Sequence, residues 1–397
     1  MTKKTQLLQF PGLPGPVRLD DAYPVGKGLR AVLNGWSPSD LTGAKGAPVS
    51  AVSHEAGGYR VDSPYLDEPL ERLPLASAVC GVLADMSEAF FEGRRGAATL
   101  HCGAFETGGR LIALTGHAHA GKSTLMARLS AEPDLVIYCD DILPLGEDGS
   151  GIALGAAPRL RLPLPKAASA AFCDHVARHA GPSDDEYCYV CAPNIAAHGR
   201  SAPLSVLIVL DRRQEGQAAL HQLGRHEAIH HLLTQNMTDF ASAEDGFEKA
   251  NALAANLLTL RLVYSDLEDA AALLRRAFVG HARINPAVSI GKPLPPLEPE
   301  GEAAPPADPD TSFKRAPNTA LRAHGEAAFL WRKRGQTLFQ LNAVGAAIWA
   351  LLEIPGSAHD LVLVLAEAFP DVNYDQLTRD CCALLGELHA DGLIRPA

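Results

Sequence analysis

The chain has 397 residues, of which 47% are hydrophobic and 20% are charged, and its formal net charge is −11. This composition is that of an ordinary globular protein, and the length predicts two or three domains, since single cores rarely grow beyond about 250 residues. The acidic balance argues against a nucleic-acid partner, which needs a basic face. No stretch reaches the roughly 20 apolar residues of a membrane span. The first residues lack the apolar region of a signal peptide, so we expect a cytoplasmic location and no membrane contact.

Eight cysteines are present, and in a large cytosolic chain they are expected to be free, packed thiols. One CxxC pair, Cys188 and Cys191, leaves open a zinc site completed by nearby residues in the sequence, namely Cys173, His175, His179 and His198. A lone CxxC without a second matched pair is a weak signal for zinc. Packed thiols are therefore the expected interpretation.

Residues 1–95 form the N-terminal part of the chain; of these, residues 1–75 are rich in loops, with short strand-like runs at 29–33 and 47–52. A helix is predicted over 75–91, because apolar side chains recur there at helical spacing. Two strand-like runs, 97–105 and 110–115, are separated by a glycine pair and predict a hairpin. This region is expected to form the N-terminal part of the unit that follows.

Beyond residue 116 the strand-like and helical patterns alternate, which predicts an α/β domain with a mixed sheet over residues 96–283. The predicted strands lie at 135–139, 160–164 and 204–210, and the predicted helices at 228–233, 242–257 and 267–278.

The segment GHAHAGKST follows the second strand of the hairpin and opens a helix at 123–130. Its GxxxxGK[ST] pattern predicts a phosphate-binding loop, in which glycines allow backbone N–H groups to surround phosphates. Lys122 is expected to pair with the β- and γ-phosphates of ATP, and the Ser123 hydroxyl to bind Mg²⁺. The residues predicted to contact the nucleotide are Gly116, His117, Ala118, His119, Ala120, Gly121, Lys122, Ser123 and Thr124.

Two adjacent acids, Asp140 and Asp141, end the next predicted strand. A carboxylate there can reach the magnesium, and its neighbour can accept a proton from an attacking hydroxyl. The alternative is one metal-binding acid beside an incidental surface acid.

The segment from His101 to Asp141 resembles the catalytic domain of HPr kinase/phosphorylase, through the histidine before the loop, the loop itself and the pair of acids. The resemblance implies that Asp140 is the general base and Asp141 a magnesium ligand. It further implies that His101 orients Asp140 and contacts the transferred phosphoryl group, although a hydrogen-bonded core histidine remains the alternative. It implies an HPr-kinase-like fold, with a homo-oligomer left open because HPr kinases form hexamers.

The chain departs from that family in one motif, a downstream glutamate–arginine–glycine sequence that is not found here. Arg159 and Arg161, in the segment PRLRLP, are expected to supply the missing positive charge at the phosphates. An ordinary strand with alternating arginine and leucine explains the same segment nearly as well. The missing motif leaves HPr itself and a reverse phosphorylase activity in doubt.

Residues 284–311 are dense in proline and predict an extended, solvated linker. The final segment, 312–397, predicts a separate module in which a hairpin at 327–331 and 337–341 precedes three helices. This order of elements is typical of a winged-helix-like domain. The three helices are expected at 342–352, 358–369 and 374–391.

This C-terminal module resembles the PqqD family, also called the RiPP recognition element, through the segments FQLNAVGAAIWALLE, YDQLTRD and LLGELHADGLIRP. The resemblance implies binding of the leader of a ribosomally made precursor peptide. The leader would add as a strand at the Thr337–Leu341 edge and pack against the helix Gln376–Leu388. A DNA-binding winged helix is the alternative, but this helix lacks the basic face that a DNA reader needs.

Together these features predict an ATP- and Mg²⁺-dependent kinase for a hydroxyl, expected to be a serine, of a precursor peptide, as in the lasso-peptide precursor kinases that the chain resembles. Two alternatives remain: an ATP-dependent switch that delivers the peptide without catalysis, and a kinase of HPr or another folded protein.

Overall fold

The fold was analysed in a computed structural model of the chain, which describes residues 4–42, 46–92, 98–297, 304–325, 327–333, 338–368, 370 and 372–397. The chain divides into two compact units. The first contains residues 1–223, 235–238 and 256–294, and the second contains residues 224–234, 239–255 and 295–397.

Among its described residues, the first unit contains sixteen strands and helices before residue 170 and eight from residue 170 onwards. In chain order they are β1 (Thr5–Gln9), β2 (Val17–Asp20), α1 (Tyr23–Val32), β3 (Ser39–Asp40), β4 (Ser50–Glu55), β5 (Gly58–Asp62), β6 (Leu70–Leu73), α2 (Leu75–Phe91), β7 (Thr99–His101), β8 (Gly103–Thr107), β9 (Arg110–Thr115), α3 (Lys122–Leu129), β10 (Val136–Cys139), β11 (Ile142–Pro144), β12 (Ser150–Ile152), β13 (Arg159–Arg161), α4 (Ala170–Arg178), β14 (Ala180–Ser183), β15 (Tyr187–Val190), β16 (Ser201–Arg212), β17 (Ala219–Gln222), β18 (Leu258–Tyr264), α7 (Leu267–Phe278) and β19 (Ile290–Gly291).

The N-terminal sheet has the strand order β3-β1-β2-β4-β5-β6 and packs its apolar face against α1 and α2. The strand expected at 29–33 is wrong: this segment belongs to α1, because Val25, Leu29 and Val32 recur at helical spacing and are all buried. The helix predicted over 75–91 is confirmed as α2.

The central sheet has the order β10-β8-β9-β16-β18-β17-β19 and mixes parallel with antiparallel neighbours, so the predicted mixed α/β architecture is confirmed. The predicted hairpin is formed by β8 and β9, and Gly108 and Gly109 both take positive φ angles in its turn. The strand expected at 97–105 is split, because β7 leaves the sheet and pairs with β11. Apolar side chains of β9 and β16 pack against α3 and α7, which fixes the carboxyl ends of these strands beside the start of α3.

The predicted solvated linker, 284–311, is only partly correct. β19 pairs with β17 at the edge of the central sheet, and Val288 is buried. Further along, the Ala307 amide donates a hydrogen bond to the Cys382 carbonyl. Backbone hydrogen bonds hold these proline-rich stretches in place; residues 298–303 lie outside the described chain.

The second unit contains the C-terminal module and two helices that interrupt the central sheet in sequence. Its elements are α5 (Arg225–Thr234), α6 (Ala243–Ala254), β20 (Phe313–Arg315), β21 (Thr319–His324), β22 (Ala327–Arg332), β23 (Leu338–Leu341), α8 (Ala343–Leu351), α9 (Ala358–Ala368), α10 (Tyr374–Ala390) and β24 (Ile394–Pro396). The three helices of the module pack on the sheet β21-β22-β23 around Leu330 and Leu341.

Helices α5 and α6, which the sequence analysis placed within 96–283, belong by their packing to this second unit. Phe247 of α6 is buried, and its ring centroid lies 5.1 Å from that of Phe329 and 5.7 Å from that of Trp331, both on β22. Arg322 of β21 forms an ion pair of 2.8 Å with Glu248 of α6. A helix from the middle of the chain thus covers one face of the C-terminal sheet.

Within the described part of the chain, no helix combines the length and the apolar character that crossing a bilayer requires.

Candidate functional site

The glycine loop, residues 116–121, connects β9 to α3, as the sequence pattern predicts. Gly116 and Gly121 have φ angles of +146° and +90°, which side-chain-bearing residues rarely adopt. A Cβ on Gly116 would lie 2.9 Å from the Leu210 carbonyl oxygen, and one on Gly121 would lie 2.5 Å from the Tyr264 hydroxyl. Both glycines are therefore required by a backbone that turns tightly against β16 and β18.

Lys122 begins α3 and is largely buried. Its Nζ donates hydrogen bonds to the carbonyl oxygens of Gly116 at 2.9 Å and His117 at 3.3 Å, so the ammonium group lies across the glycine loop. The Tyr264 hydroxyl supports the same loop by donating to the Ala120 carbonyl. The positive end of α3 and the lysine together make this loop suited to an anion.

Asp140 follows β10 and is buried. Its Oδ2 accepts a hydrogen bond of 3.0 Å from the Arg159 amide. Burial, followed by repulsion from Asp141, raises the pKa of the Asp140 carboxyl to about 6, although hydrogen bonds from Arg159 and Ser123 oppose the shift. Asp140 can therefore take up and release a proton near neutral pH.

The pKa of the Asp141 carboxyl is shifted in the opposite direction to that of Asp140. The hydrogen bond and charge of His101 lower the pKa of its carboxyl, and Oδ1 lies 3.0 Å from His101 Nε2. His101 is predicted to orient Asp140, but its partner in the structure is Asp141. The reason is the strand register: Ile142 pairs with His101 across β11 and β7, which brings Asp141 to the histidine, while Asp140 turns towards β13.

Arg159 and Arg161 lie on β13, which pairs with β15. The Arg159 guanidinium lies 4.4 Å from the centre of the Tyr187 ring, and that of Arg161 lies 6.0 Å from it. Both arginines line the same cavity as the glycine loop. Their expected contact with phosphate stays a prediction.

The glycine loop and the two acids open onto one cavity of about 780 Å³. Every predicted site residue lines this cavity except Gly116 and His117, which lie at the start of the loop. Its lining also includes residues that were not predicted as site residues, namely Cys80, Leu83, Ala84, Ser87, Cys139, Ile142, Leu154, Ala156, Ala157, Leu162, Pro163, Pro165, Tyr187, Tyr189 and Arg212.

Among the lining residues that were not predicted, Arg212 is the one that the sequence pattern could most readily have identified. It ends β16, which runs parallel to β9, and the carboxyl end of a strand parallel to the loop-bearing strand meets the loop. Its Cδ would lie 3.9 Å from a Cβ placed on Gly121. The Arg212 side chain thus adds a further positive charge to the cavity near the loop.

The residues present fit a nucleotide with a divalent cation. The loop can turn tightly into the amino end of α3 only because Gly116 and Gly121 lack a Cβ, and this position suits an anion. The Ser123 hydroxyl and the Asp141 carboxylate offer oxygen ligands, which Mg²⁺ prefers. Among the described residues, no cluster of three or more His, Cys, Asp or Glu side chains resembles a zinc site.

The C-terminal module carries the features that the sequence predicts for peptide binding. Among the described strands, β23 pairs only with β22, which leaves its other edge for a further strand; Thr337 lies outside the described residues. On α10, Leu377, Cys381, Leu385 and Leu388 are buried in the module's own core. The exposed residues of the predicted helix segment are Gln376, Arg379, Asp380 and Ala383.

Residues 327–394 match the family described as Coenzyme PQQ synthesis protein D (PqqD). A solved structure described as "TbiB1 in Complex with the TbiA(beta) Leader Peptide" is 24% identical to the chain, covers 21% of it and 94% of the solved chain, and has a TM-score of 0.19. No curated protein matches the chain. The chain therefore carries a PqqD domain over residues 327–394; the family match does not extend to the glycine loop or the two acids.

Proposed function

We propose that this protein is a magnesium-dependent kinase that transfers the γ-phosphoryl group of ATP to a side-chain hydroxyl of a ribosomally made precursor peptide. One observation carries the proposal. Asp140 and Asp141 lie side by side at the glycine loop but have different partners. Asp140 is buried and accepts a hydrogen bond of 3.0 Å from the Arg159 amide, whereas Asp141 lies 3.0 Å from His101. A protein that only binds nucleotide needs one metal-binding acid, whereas phosphoryl transfer to a hydroxyl also uses a base.

In this proposal the glycine loop holds the phosphates, with Lys122 and Arg212 supplying positive charge. Ser123 and Asp141 hold the magnesium, which neutralises charge on the β- and γ-phosphates when it is bound. His101 keeps Asp141 ionised and oriented through their 3.0 Å contact. The low pKa of Asp141 supports this assignment, because a metal ligand has to be ionised.

Asp140 acts as the general base. The acceptor oxygen attacks the γ-phosphorus, the bond from that phosphorus to the bridging oxygen of ADP breaks, and the hydroxyl proton passes to the Asp140 carboxylate. The Arg159 amide donates a hydrogen bond to Oδ2 and so holds the Asp140 carboxyl in place beside the loop. Catalysis then depends mainly on positioning and charge stabilisation.

The PqqD domain recruits the substrate. We infer that the leader adds as a strand to the free edge of β23 and contacts the exposed face of α10. Capture by the leader raises the effective concentration of the core peptide at the kinase site. The acceptor is expected to be a serine.

Substitution of Lys122 tests whether the glycine loop binds ATP, as proposed. Lys122→Ala removes a buried ammonium group from the glycine loop. Hydrogen bonds to charged groups contribute about 1.5–3 kcal/mol each, so the affinity for ATP with Mg²⁺ is expected to fall about tenfold or more. Isothermal titration calorimetry measures this change directly.

The matched control is Lys27→Ala, an exposed lysine on α1, which should bind ATP as the wild type does. Equal affinity of Lys122→Ala and wild type for ATP would mean that the glycine loop does not hold the nucleotide.

A further inference from the structure

The cavity beside the glycine loop has two chemically different parts. Its charged side chains come from the loop, the two acids, β13 and the end of β16. The part formed by α2 and residues 154–157, here called the α2 wall, presents no charged side chain to the cavity. Its members are Cys80, Leu83, Ala84, Ser87, Leu154, Ala156 and Ala157.

The α2 wall has a fixed shape. Its helix residues recur at intervals of three and four, so they share one face of α2. The Ser87 hydroxyl donates a hydrogen bond of 2.7 Å to the Leu83 carbonyl, so its proton does not need an acceptor inside the cavity. The other part is anchored to α1, because the Ala157 amide donates to the Val32 carbonyl at 2.9 Å.

The packing places this wall on the Asp140 side of the cavity. Tyr189 of β15 is buried in the same core cluster as Val79 and Met86 of α2. Tyr189 pairs with Arg159 across the strands β15 and β13, and the Arg159 amide binds Asp140 Oδ2. The charges of Arg159, Asp141 and Asp140 also act on the Cys80 thiol, although burial is the main reason why its pKa is raised.

A nucleotide held by the glycine loop would extend away from this wall. Ser123 and Asp141 would hold the magnesium, which would neutralise charge on the phosphates, so the terminal phosphate would lie at their end of the loop. The ribose and base continue from the other end of the phosphate chain. The space beyond Asp140 is therefore where the group that receives the phosphoryl has to enter.

We propose that the α2 wall is the acceptor subsite, and that it selects a hydroxyl side chain flanked by small, uncharged residues. This inference rests on the proposed kinase function and names the substrate class of the same site. A charged neighbour of the acceptor would lose its hydration against the wall, whose own side chains carry no charge to pair with it, which is costly. A bulky neighbour would be excluded by the side chains of α2 and residues 154–157.

The test is Ala84→Leu, which extends an exposed side chain into the cavity and leaves the core of the helix unchanged. The matched control is Ala177→Leu on the exposed face of α4, outside the cavity lining. With the full-length protein, ATP and the precursor peptide encoded beside its gene, Ala84→Leu should raise the KM for the peptide about tenfold or more. Its affinity for ATP and its slow hydrolysis of ATP by water should equal those of the control.

A second arm uses peptides in which a residue next to the acceptor is changed to aspartate or lysine; each change should raise KM for the wild-type protein. If Ala84→Leu instead weakens ATP binding, the wall holds the nucleoside and the inference is overturned. Unchanged peptide KM with normal transfer also overturns it, and leaves the proposed function intact. A wild-type protein that transfers no phosphate overturns the proposed function itself.

Discussion

Asp140→Asn is expected to lower the rate of phosphoryl transfer to peptide by about 10²–10⁴-fold, the usual contribution of a general base. The amide keeps the shape of the carboxyl and can still accept the hydrogen bond from the Arg159 amide, but it cannot take up the hydroxyl proton. Binding of ATP should be retained, because Lys122 and the glycine loop are unchanged. Single-turnover transfer of labelled phosphate measures the effect, with Asp174→Asn on the exposed side of α4 as the control.

The stability of the same variant separates lost catalysis from lost folding. Because the folded-state pKa of Asp140 is about 6, above the value of about 3.9 for an unfolded chain, this group disfavours the folded state as pH rises from about 4 to 6. Asparagine lacks this penalty, so at pH 8 the variant should be at least as stable as wild type, with a gain on the order of 2–3 kcal/mol at most. Full transfer activity in a folded Asp140→Asn protein would remove Asp140 from the role of base.

Phe247→Ala is expected to destabilise the second unit by about 3–5 kcal/mol, the usual cost of truncating a buried phenylalanine. The ring is 1% exposed and packs against Phe329 and Trp331, so its loss leaves a cavity on one face of the C-terminal sheet. Urea unfolding followed by tryptophan fluorescence should show the transition of this unit at a lower urea concentration.

Lys249→Ala on the same helix is the control, since its exposed ion pair with Asp245 contributes only about 0.3–0.5 kcal/mol. Hydrogen exchange gives an independent measure: backbone amides of β22 should exchange faster in Phe247→Ala than in the control. Equal unfolding midpoints and equal exchange would show that α6 does not support this sheet.

Much of the fold could be predicted where a local pattern is strong. The helices at 75–91 and 267–278 have the predicted bounds, since apolar side chains recur at helical spacing through both. The segment 29–33 is too short for its period to distinguish a strand from the end of a helix, and only the buried face of α1 settles it. The assignment of α6 to the second unit depends on Phe247 meeting β22, more than 80 positions away in sequence, which no local pattern records.

The same distinction applies to the candidate site: its local motifs could be predicted, whereas the contacts between distant segments could not. The glycine loop and the two acids are visible in sequence because their chemistry depends on neighbouring residues. The partner of His101 depends on the register between β7 and β11, and the α2 wall depends on packing between distant segments. Arg212 lay within reach of sequence reasoning, since it ends an apolar strand that neighbours the loop-bearing strand. The rest of the cavity is set by tertiary contacts.

The central claim is that the protein phosphorylates a hydroxyl of a leader-bearing peptide. The most direct measurement is incubation of the full-length protein with Mg²⁺, ATP labelled at the γ-phosphate and the precursor peptide encoded beside its gene. The account predicts label on a side-chain hydroxyl of the core peptide, with much slower labelling when the leader is removed. Bound ATP with no label on the peptide, with or without its leader, would contradict the account and favour a nucleotide-dependent switch for peptide delivery.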